Sequence, residues 1–191
     1  FACTRGIAIH ADAEIEVDGA STVATGLGNF LEIAGGTFDA NGDFNATGTT
    51  IHMDASSNLE LGGTVTSLGL LDNAEGTVTY DVSGVAPYTD DYYNLIFDNG
   101  GMNTATGAIT VAGDLTVTSG SMFRTSTTTV TGTTDIDGTL NIGSSIIFTA
   151  NGASDIDGTL SAVTSTYDAN GAFDATNGNV TFTGAGRLQL G

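Results

Sequence analysis

The chain has 191 residues, of which 40% are hydrophobic, so it is long and apolar enough to fold around a core of its own. Three arginines, no lysine and 22 acidic residues give a formal net charge of −19. This charge argues against nucleic acid and anionic membrane surfaces as partners and favours cations. Only 13% of the residues are charged, so Thr, Ser, Asn and Gly must supply the polar surface. Such a composition is typical of secreted fibres, and we expect an extracellular location.

Cysteine usage and hydropathy add two further expectations. Cys3 is the only cysteine and cannot form a disulfide within the chain. Neither a targeting sequence nor an apolar run long enough to span a bilayer occurs, so we expect no insertion into a membrane. Because the chain starts at Phe1 rather than at methionine, we expect a processed protein or a part of a longer polypeptide.

Period-two alternation begins near the N-terminus. Residues 7–17 place isoleucine, alanine and valine on one face and His10, aspartate and glutamate on the other, which predicts one half-buried strand. Asp18-Gly19 and Gly35-Gly36 then break the chain, and no interval shows the apolar stripe of a helix.

The middle of the chain continues as short segments rich in Thr and Val, separated by Gly or Asp-Gly. We predict one irregular excursion at about 84–103, where the only proline, Pro87, accompanies four aromatic residues without regular spacing. After this excursion the β pattern returns and continues to Gly191.

An exact repeat indicates the architecture. The sequence Asp-Ile-Asp-Gly-Thr-Leu occurs at 135–140 and again at 155–160, and a longer echo joins 37–42 with 166–171. We interpret both as one recurring unit, because periods near 20 with Gly, Asn and Asp punctuation are typical of stacked solenoid coils. In a β-sandwich, exact repetition of a sequence brings no comparable gain in stability. We therefore predict a single all-β domain over 1–191, a β-solenoid (parallel β-helix-like) with coils of about 20 residues.

Three segments in the middle of the chain carry a family resemblance. They read GTVTYD at 76–81, YYNLIF at 92–97 and ITVAGDLTVTSG at 109–120. Their order resembles the long secreted β-strand-repeat proteins of bacterial surfaces, in which GTVTFDGSG, YYNLTF and ITVNGDLTVTSG strands follow one another. The resemblance implies a parallel β-helix-like surface or adhesin protein. It identifies no catalytic residues in this chain. Those proteins are usually much longer, so this chain is either a fragment of such a protein or a short version that assembles with itself.

The repeated aspartates are the candidate metal ligands. Asp135, Asp137, Asp155 and Asp157 would stack as a ladder of carboxylates on successive coils. Carboxylates this close repel unless a proton or a cation intervenes, so a Ca²⁺ site is one interpretation. The alternative, which turn statistics favour, is that they are exposed turn residues and that no cofactor is required.

A second acidic stretch, Asp39-Ala40-Asn41-Gly42-Asp43, matches the start of a Ca²⁺ loop only weakly, because Thr50 stands at the twelfth position.

Catalytic residues are not evident. His10 and His52 are too few and too isolated in the sequence to predict a zinc site. Parallel β-helices that cleave acidic polysaccharides need basic groups in a groove, but Arg5, Arg124 and Arg187 are scattered. We therefore expect a protein that is not an enzyme.

The aromatic excursion has two interpretations. Tyr88, Tyr92, Tyr93 and Phe97 form either an exposed patch that binds a glycan or a protein, or a cover over one side of the core.

The ends of the predicted solenoid suggest how it assembles. The last residues, ending in Leu-Gln-Leu-Gly, match a phrase at 59–62 that runs on into another coil, so this edge should accept a further strand. The N-terminal strand of another copy could supply it. The predicted interface consists of Ile7, Ile9, Ile15, Val17, Leu188 and Leu190.

From these features we predict a non-enzymatic subunit of an extracellular filament or surface fibre that polymerises head to tail with itself. The alternative is a section of a large bacterial adhesin that binds glycan or protein through the exposed aromatic patch.

Overall fold

The computed structural model describes residues 2–3, 6–23, 29–72 and 74–191, with only the backbone of 2–3 described. The regular elements in these ranges are β-strands, and the strands pair in parallel within each sheet. The first twelve strands are β1 (Ala2–Cys3), β2 (Gly6–His10), β3 (Glu14–Val17), β4 (Ser21–Val23), β5 (Phe30–Ala34), β6 (Thr37–Ala40), β7 (Phe44–Asn45), β8 (Thr50–Met53), β9 (Asn58–Leu61), β10 (Val65–Ser67), β11 (Leu70–Leu71) and β12 (Thr77–Tyr80).

The remaining strands follow an irregular segment after β12. They are β13 (Asp91–Tyr92), β14 (Asn94–Phe97), β15 (Met102–Thr104), β16 (Ile109–Val111), β17 (Leu115–Val117), β18 (Met122–Thr125), β19 (Thr128–Val130), β20 (Thr134–Ile136), β21 (Thr139–Ile142), β22 (Ile147–Ala150), β23 (Ser154–Ile156), β24 (Thr159–Val163), β25 (Thr166–Ala169), β26 (Phe173–Asp174), β27 (Asn179–Thr183) and β28 (Arg187–Leu190).

The strands stack as a β-solenoid whose coils pass through three sides in a fixed order. The third side is one sheet of nine strands, here called the continuous sheet, made of β3, β6, β9, β12, β14, β17, β20, β23 and β26. The first side is divided into a sheet of β1, β4, β7 and β10 and a sheet of β15, β18, β21, β24 and β27. The second side is divided into β2, β5, β8 and β11 and into β13, β16, β19, β22, β25 and β28. The predicted all-β solenoid is confirmed.

The exact repeat lies one coil apart, as predicted. Asp135 pairs in register with Asp155, and Leu140 pairs with Leu160. The glycines between them explain part of the repetition, because a Cβ at Gly158 would collide with the carbonyl oxygen of Gly138 in the coil before it. The corner therefore requires glycine in both coils.

The longer echo is arranged differently from the prediction. Its first copy includes β6, in the continuous sheet, whereas its second copy includes β25, on the second side. In both copies the strand pairs with the similar strand that follows it, since Thr37 lies opposite Asn58 and Thr166 lies opposite Arg187. The recurring unit is thus a strand with its corner, and it is used on two different sides.

The core consists of inward-facing side chains that stack from coil to coil. Alternate residues of most strands point inwards and are buried, as the period-two pattern predicts. The rings of Phe97 and Phe123 stack with centroids 4.3 Å apart, and those of Phe148 and Tyr167 are 5.1 Å apart. Such stacked pairs add about 0.5–1.5 kcal/mol beyond the burial of their apolar area.

Two predicted boundaries were wrong. Residues 7–17 form two strands, because Asp12 adopts a left-handed φ of 63° and the N–H of Ala13 bonds the carbonyl of His10 at 3.0 Å. Ala11 and Ala13 are consequently exposed at a corner instead of lying in the core. The irregular excursion covers only 81–90, since β13, β14 and the first residues of β15 fall in the predicted range 84–103.

Candidate functional site

One column of outward-facing side chains runs along the continuous sheet, and we call it the acidic column. It begins and ends with three carboxylates, with three uncharged residues between them. Each member pairs in register with the next, and from β3 to β26 they are Glu16, Asp39, Glu60, Thr79, Ile96, Thr116, Asp135, Asp155 and Asp174. Neighbouring parallel strands are about 4.8 Å apart, so the like charges at each end repel one another.

Three carboxylates converge near the N-terminal end of this column. Asp39, Glu60 and Asp81, which directly follows β12, each place a ligand oxygen within 4.8 Å of the other two. Burial raises the pKa of Asp39, and the charge of Asp81 raises it further. The pKa of Glu60 is raised by burial and then by the charges of Asp39 and Asp81. Burial also raises the pKa of Asp81, with a smaller contribution from the charge of Asp98.

The Oδ1 atom of Asp39 is buried and has no hydrogen-bond partner among the described residues. A set of oxygen ligands alone suits a hard cation such as Ca²⁺ better than a transition metal. The sequence motifs did not point to this group, although positions 39, 60 and 81 are evenly spaced by close to the length of one coil. A search for acidic residues at the coil spacing would have found it.

The four predicted metal ligands lie near the other end of the column. Burial raises the pKa of Asp135, followed by the charges of Asp137, Asp155 and Asp157. Those three side chains are exposed. Among the described residues, however, no three of these four aspartates bring carboxylate oxygens within 4.8 Å of one another. Asp137 and Asp157 lie in bends after their strands, which separates them from the in-register pair.

A groove of about 400 Å³ runs beside the in-register aspartates. Small residues, including Ala153 and Ala172, are part of its lining. Asp135, Asp155 and Asp174 line it from three successive strands of the continuous sheet.

The weak match to a Ca²⁺ loop is wrong as a loop. Asp39 lies within β6, and Asn41 to Asp43 form the corner that follows. The side-chain amide of Asn41 donates to Glu16 Oε1 at 3.0 Å, and Asp43 Oδ1 accepts the N–H of Thr64 at 2.9 Å. These side chains therefore join successive coils instead of surrounding one ion.

The predicted exposed aromatic patch is also wrong. Tyr92 and Phe97 are completely buried, and Tyr88 and Tyr93 are half-buried. The hydroxyls of Tyr80 and Tyr92 lie 3.1 Å apart inside the core, and the N–H of Tyr88 donates to Tyr80 Oη at 2.8 Å. The hydroxyl of Tyr92 donates in turn to the carbonyl of Tyr88. The aromatic residues thus anchor the 81–90 excursion to the core, as in the second of the two interpretations.

The predicted assembly residues differ in accessibility. Ile7, Ile15 and Val17 are half-buried at one end of the solenoid, and Leu188 is half-buried at the other. Leu190 is 63% exposed, whereas Ile9 is only 2% exposed. Ile9 therefore belongs to the core and offers little surface to a partner.

The basic and histidine side chains are dispersed over the surface. Arg124 in β18 and Arg187 in β28 are exposed, and Arg5 and the side chain of Cys3 lie outside the described residues. His10 and His52 are both exposed on the second side, and His52 Nδ1 lies 3.6 Å from Asp72 Oδ2.

Comparison of the chain with protein-family models, with curated proteins and with solved structures finds no match. None of the described residues form a helix of sufficient length and apolarity to span a membrane.

Proposed function

We propose that the chain is a non-enzymatic structural segment of an extracellular filament or surface fibre, which lengthens by strand pairing between the ends of successive copies. The observation that carries this proposal is the solenoid itself, in which the backbone hydrogen bonds between coils run along one axis. A rod of this kind gains length and stiffness with each added coil.

Among the described strands, β28 is the last of its sheet, and its backbone N–H groups alternate in direction. The N–H groups of Arg187 and Gly191 donate towards β25, to Ser165 O and Ala169 O. Since alternate residues of a parallel strand point to opposite neighbours, the N–H groups of Leu188 and Leu190 face away from β25. An incoming strand can accept these bonds and cover the exposed side chain of Leu190.

The surface chemistry supports a structural role over catalysis. The outward carboxylates and hydroxyls of the continuous sheet are partly or fully exposed to solvent, whereas catalysis benefits from a site that excludes water. The polar but lysine-free composition supports a secreted location. The adhesin alternative relied on an exposed aromatic patch, and the burial of Tyr92 and Phe97 removes that basis.

The test is polymerisation of the purified chain, followed by electron microscopy and fibre diffraction. We expect filaments with a reflection at about 4.8 Å along the fibre axis. Leu190→Pro removes one outward N–H and should reduce filament formation at least tenfold, whereas Leu190→Ala, which keeps that N–H, should reduce it less. A chain that stays monomeric at high concentration, or that polymerises equally well as Leu190→Pro, would contradict the proposal.

A further inference from the structure

Three side chains capable of binding a metal stand in one column on the second side of the solenoid. Glu32 in β5 pairs in register with His52 in β8. Asp72 directly follows β11 and continues its register, because its N–H donates to Ile51 O at 2.8 Å. The three residues are evenly spaced in the sequence by the length of one coil, so each of three successive coils contributes one of them.

The distance between His52 and Asp72 suits a shared metal better than a direct hydrogen bond. His52 Nδ1 lies 3.6 Å from Asp72 Oδ2, which is too long for a good hydrogen bond. Two ligands at about 2.0–2.2 Å from a tetrahedral ion are about 3.3–3.6 Å apart. The pair is therefore already spaced as two ligands of one ion.

Asp72 is held in this orientation by its own loop. Its Oδ1 atom accepts the N–H of Ala74 at 3.1 Å, which leaves Oδ2 directed towards the imidazole. A carboxylate oriented in this way by a backbone donor resembles the outer-shell support found around metal ligands.

The column is accessible from solvent. The side chains of His52 and Asp72 are 55% and 40% exposed. Two open grooves of about 370 Å³ and 290 Å³ meet at Thr50 and His52; Glu32 lines the first and Asp72 lines the second. The described arginines lie in β18 and β28, in the other half of the solenoid, so no described arginine stands in this column.

We propose that His52 and Asp72, joined by Glu32, form a surface site for a divalent transition ion of the Zn²⁺ type. In this structure the Glu32 carboxylate is not within 4.8 Å of both other ligands, and it turns towards the ion when the ion binds. Imidazole with carboxylates suits Zn²⁺, Ni²⁺ and Cu²⁺, whereas Ca²⁺ prefers oxygen ligands alone. One position stays open to water or to a ligand from another molecule. The site is independent of the proposed fibre function.

The test is a titration of the full chain with Zn²⁺ at about pH 7.5. Calorimetry gives the affinity, and the His52 imidazole proton resonances report which ring is bound. Cys3→Ser is used as the background, so that the single thiol does not contribute. We expect one Zn²⁺ per chain, at least tenfold weaker binding in His52→Asn and in Asp72→Asn, and a smaller loss in Glu32→Gln.

His10→Asn is the matched control, because His10 is also exposed on the second side but lies opposite Ala34 instead of a carboxylate. Asp39→Asn controls for binding to the acidic column. Unchanged Zn²⁺ affinity in His52→Asn, or an equal loss in His10→Asn or Asp39→Asn, would overturn the site. Displacement of Zn²⁺ by a modest excess of Ca²⁺ would also overturn it, because it would show that oxygen ligands alone hold the ion.

Discussion

Asp39 occupies an unfavourable position for a charged side chain. It is partly buried, one of its oxygens has no hydrogen-bond partner among the described residues, and Asp81 and Glu16 add negative charge around it. Residues of this kind lower the stability of the folded chain at neutral pH, because burial and repulsion penalise the ionised form.

The pH dependence of stability should follow from these raised pKa values. A carboxyl with a higher pKa in the folded state takes up its proton there first, so stability rises as pH falls through the raised folded pKa towards the ordinary values of 3.8 for Asp and 4.5 for Glu. We expect the melting temperature to be higher at about pH 5 than at about pH 7.5. Asp39→Asn should raise the melting temperature at the higher pH and weaken this dependence.

Asp174 serves as a control, because its pKa is shifted in the opposite direction from that of Asp39. Its exposed carboxylate accepts hydrogen bonds from the N–H and hydroxyl of Thr176, which lower its pKa. The ionised carboxylate of Asp174 therefore stabilises the folded chain at neutral pH, and this stabilisation is lost on acidification. Asp174→Asn should accordingly not stabilise the chain. Melting curves in which Asp39→Asn and Asp174→Asn behave alike would contradict this account of the column.

Calcium should act on the same residues as protonation. A divalent cation relieves the repulsion between carboxylates, so Ca²⁺ should raise the melting temperature more than Na⁺ at equal ionic strength, and a chelator should reverse the gain. Asp39→Asn should reduce this gain more than Asp155→Asn, because among the described residues three carboxylates converge only around the former. An equal response to Ca²⁺ in wild type and Asp39→Asn would refute this expectation.

Among the structural elements, the 81–90 excursion is the one that interrupts two of the three sides of the solenoid. It separates the two sheets of the first side and the two sheets of the second side, while the continuous sheet passes it unbroken. The hydroxyls of Tyr80 and Tyr92 bind the backbone of Tyr88 from inside the core. Two buried tyrosines thus replace the missing strand pairing at this point.

Removal of the Tyr80 hydroxyl should therefore destabilise the chain. Tyr80→Phe leaves the N–H of Tyr88 without its acceptor, at a cost of about 1–3 kcal/mol in the free energy of unfolding. For a domain of this size, each kcal/mol lowers the melting temperature by about 2–4 °C. Tyr93→Phe, outside this hydrogen-bond network, is the matched control. Equal melting temperatures for the two variants would show that the network contributes little.

Across the whole molecule, the coils vary in length although their strands stay in register. The interval from Glu14 to its partner Thr37 is longer than the interval from Thr77 to its partner Asn94. The corners absorb these differences, because a residue added or lost at a corner leaves the inward alternation of the flanking strands intact. Because corners can vary in length, the same unit of strand and corner can lie in the continuous sheet at 37–42 and on the second side at 166–171.

The fold class could be predicted from the amino-acid sequence. Period-two alternation predicts strands. The exact return of the sequence 135–140 at 155–160 predicts stacked coils, because identical residues at corners and in the core stabilise parallel strands that pair in register. Both signals are local or strictly periodic, and no knowledge of the cross-section was needed to interpret them.

The contacts between side chains of different coils emerged only from the three-dimensional arrangement. Asp39, Glu60 and Asp81 converge, His52 faces Asp72, and Tyr92 turns inwards, and each of these outcomes depends on register. Outside the exact repeat, register could not be predicted with certainty from one fixed period, because coil lengths vary from one coil to the next and a shift of one residue exchanges the inward and outward faces of a strand.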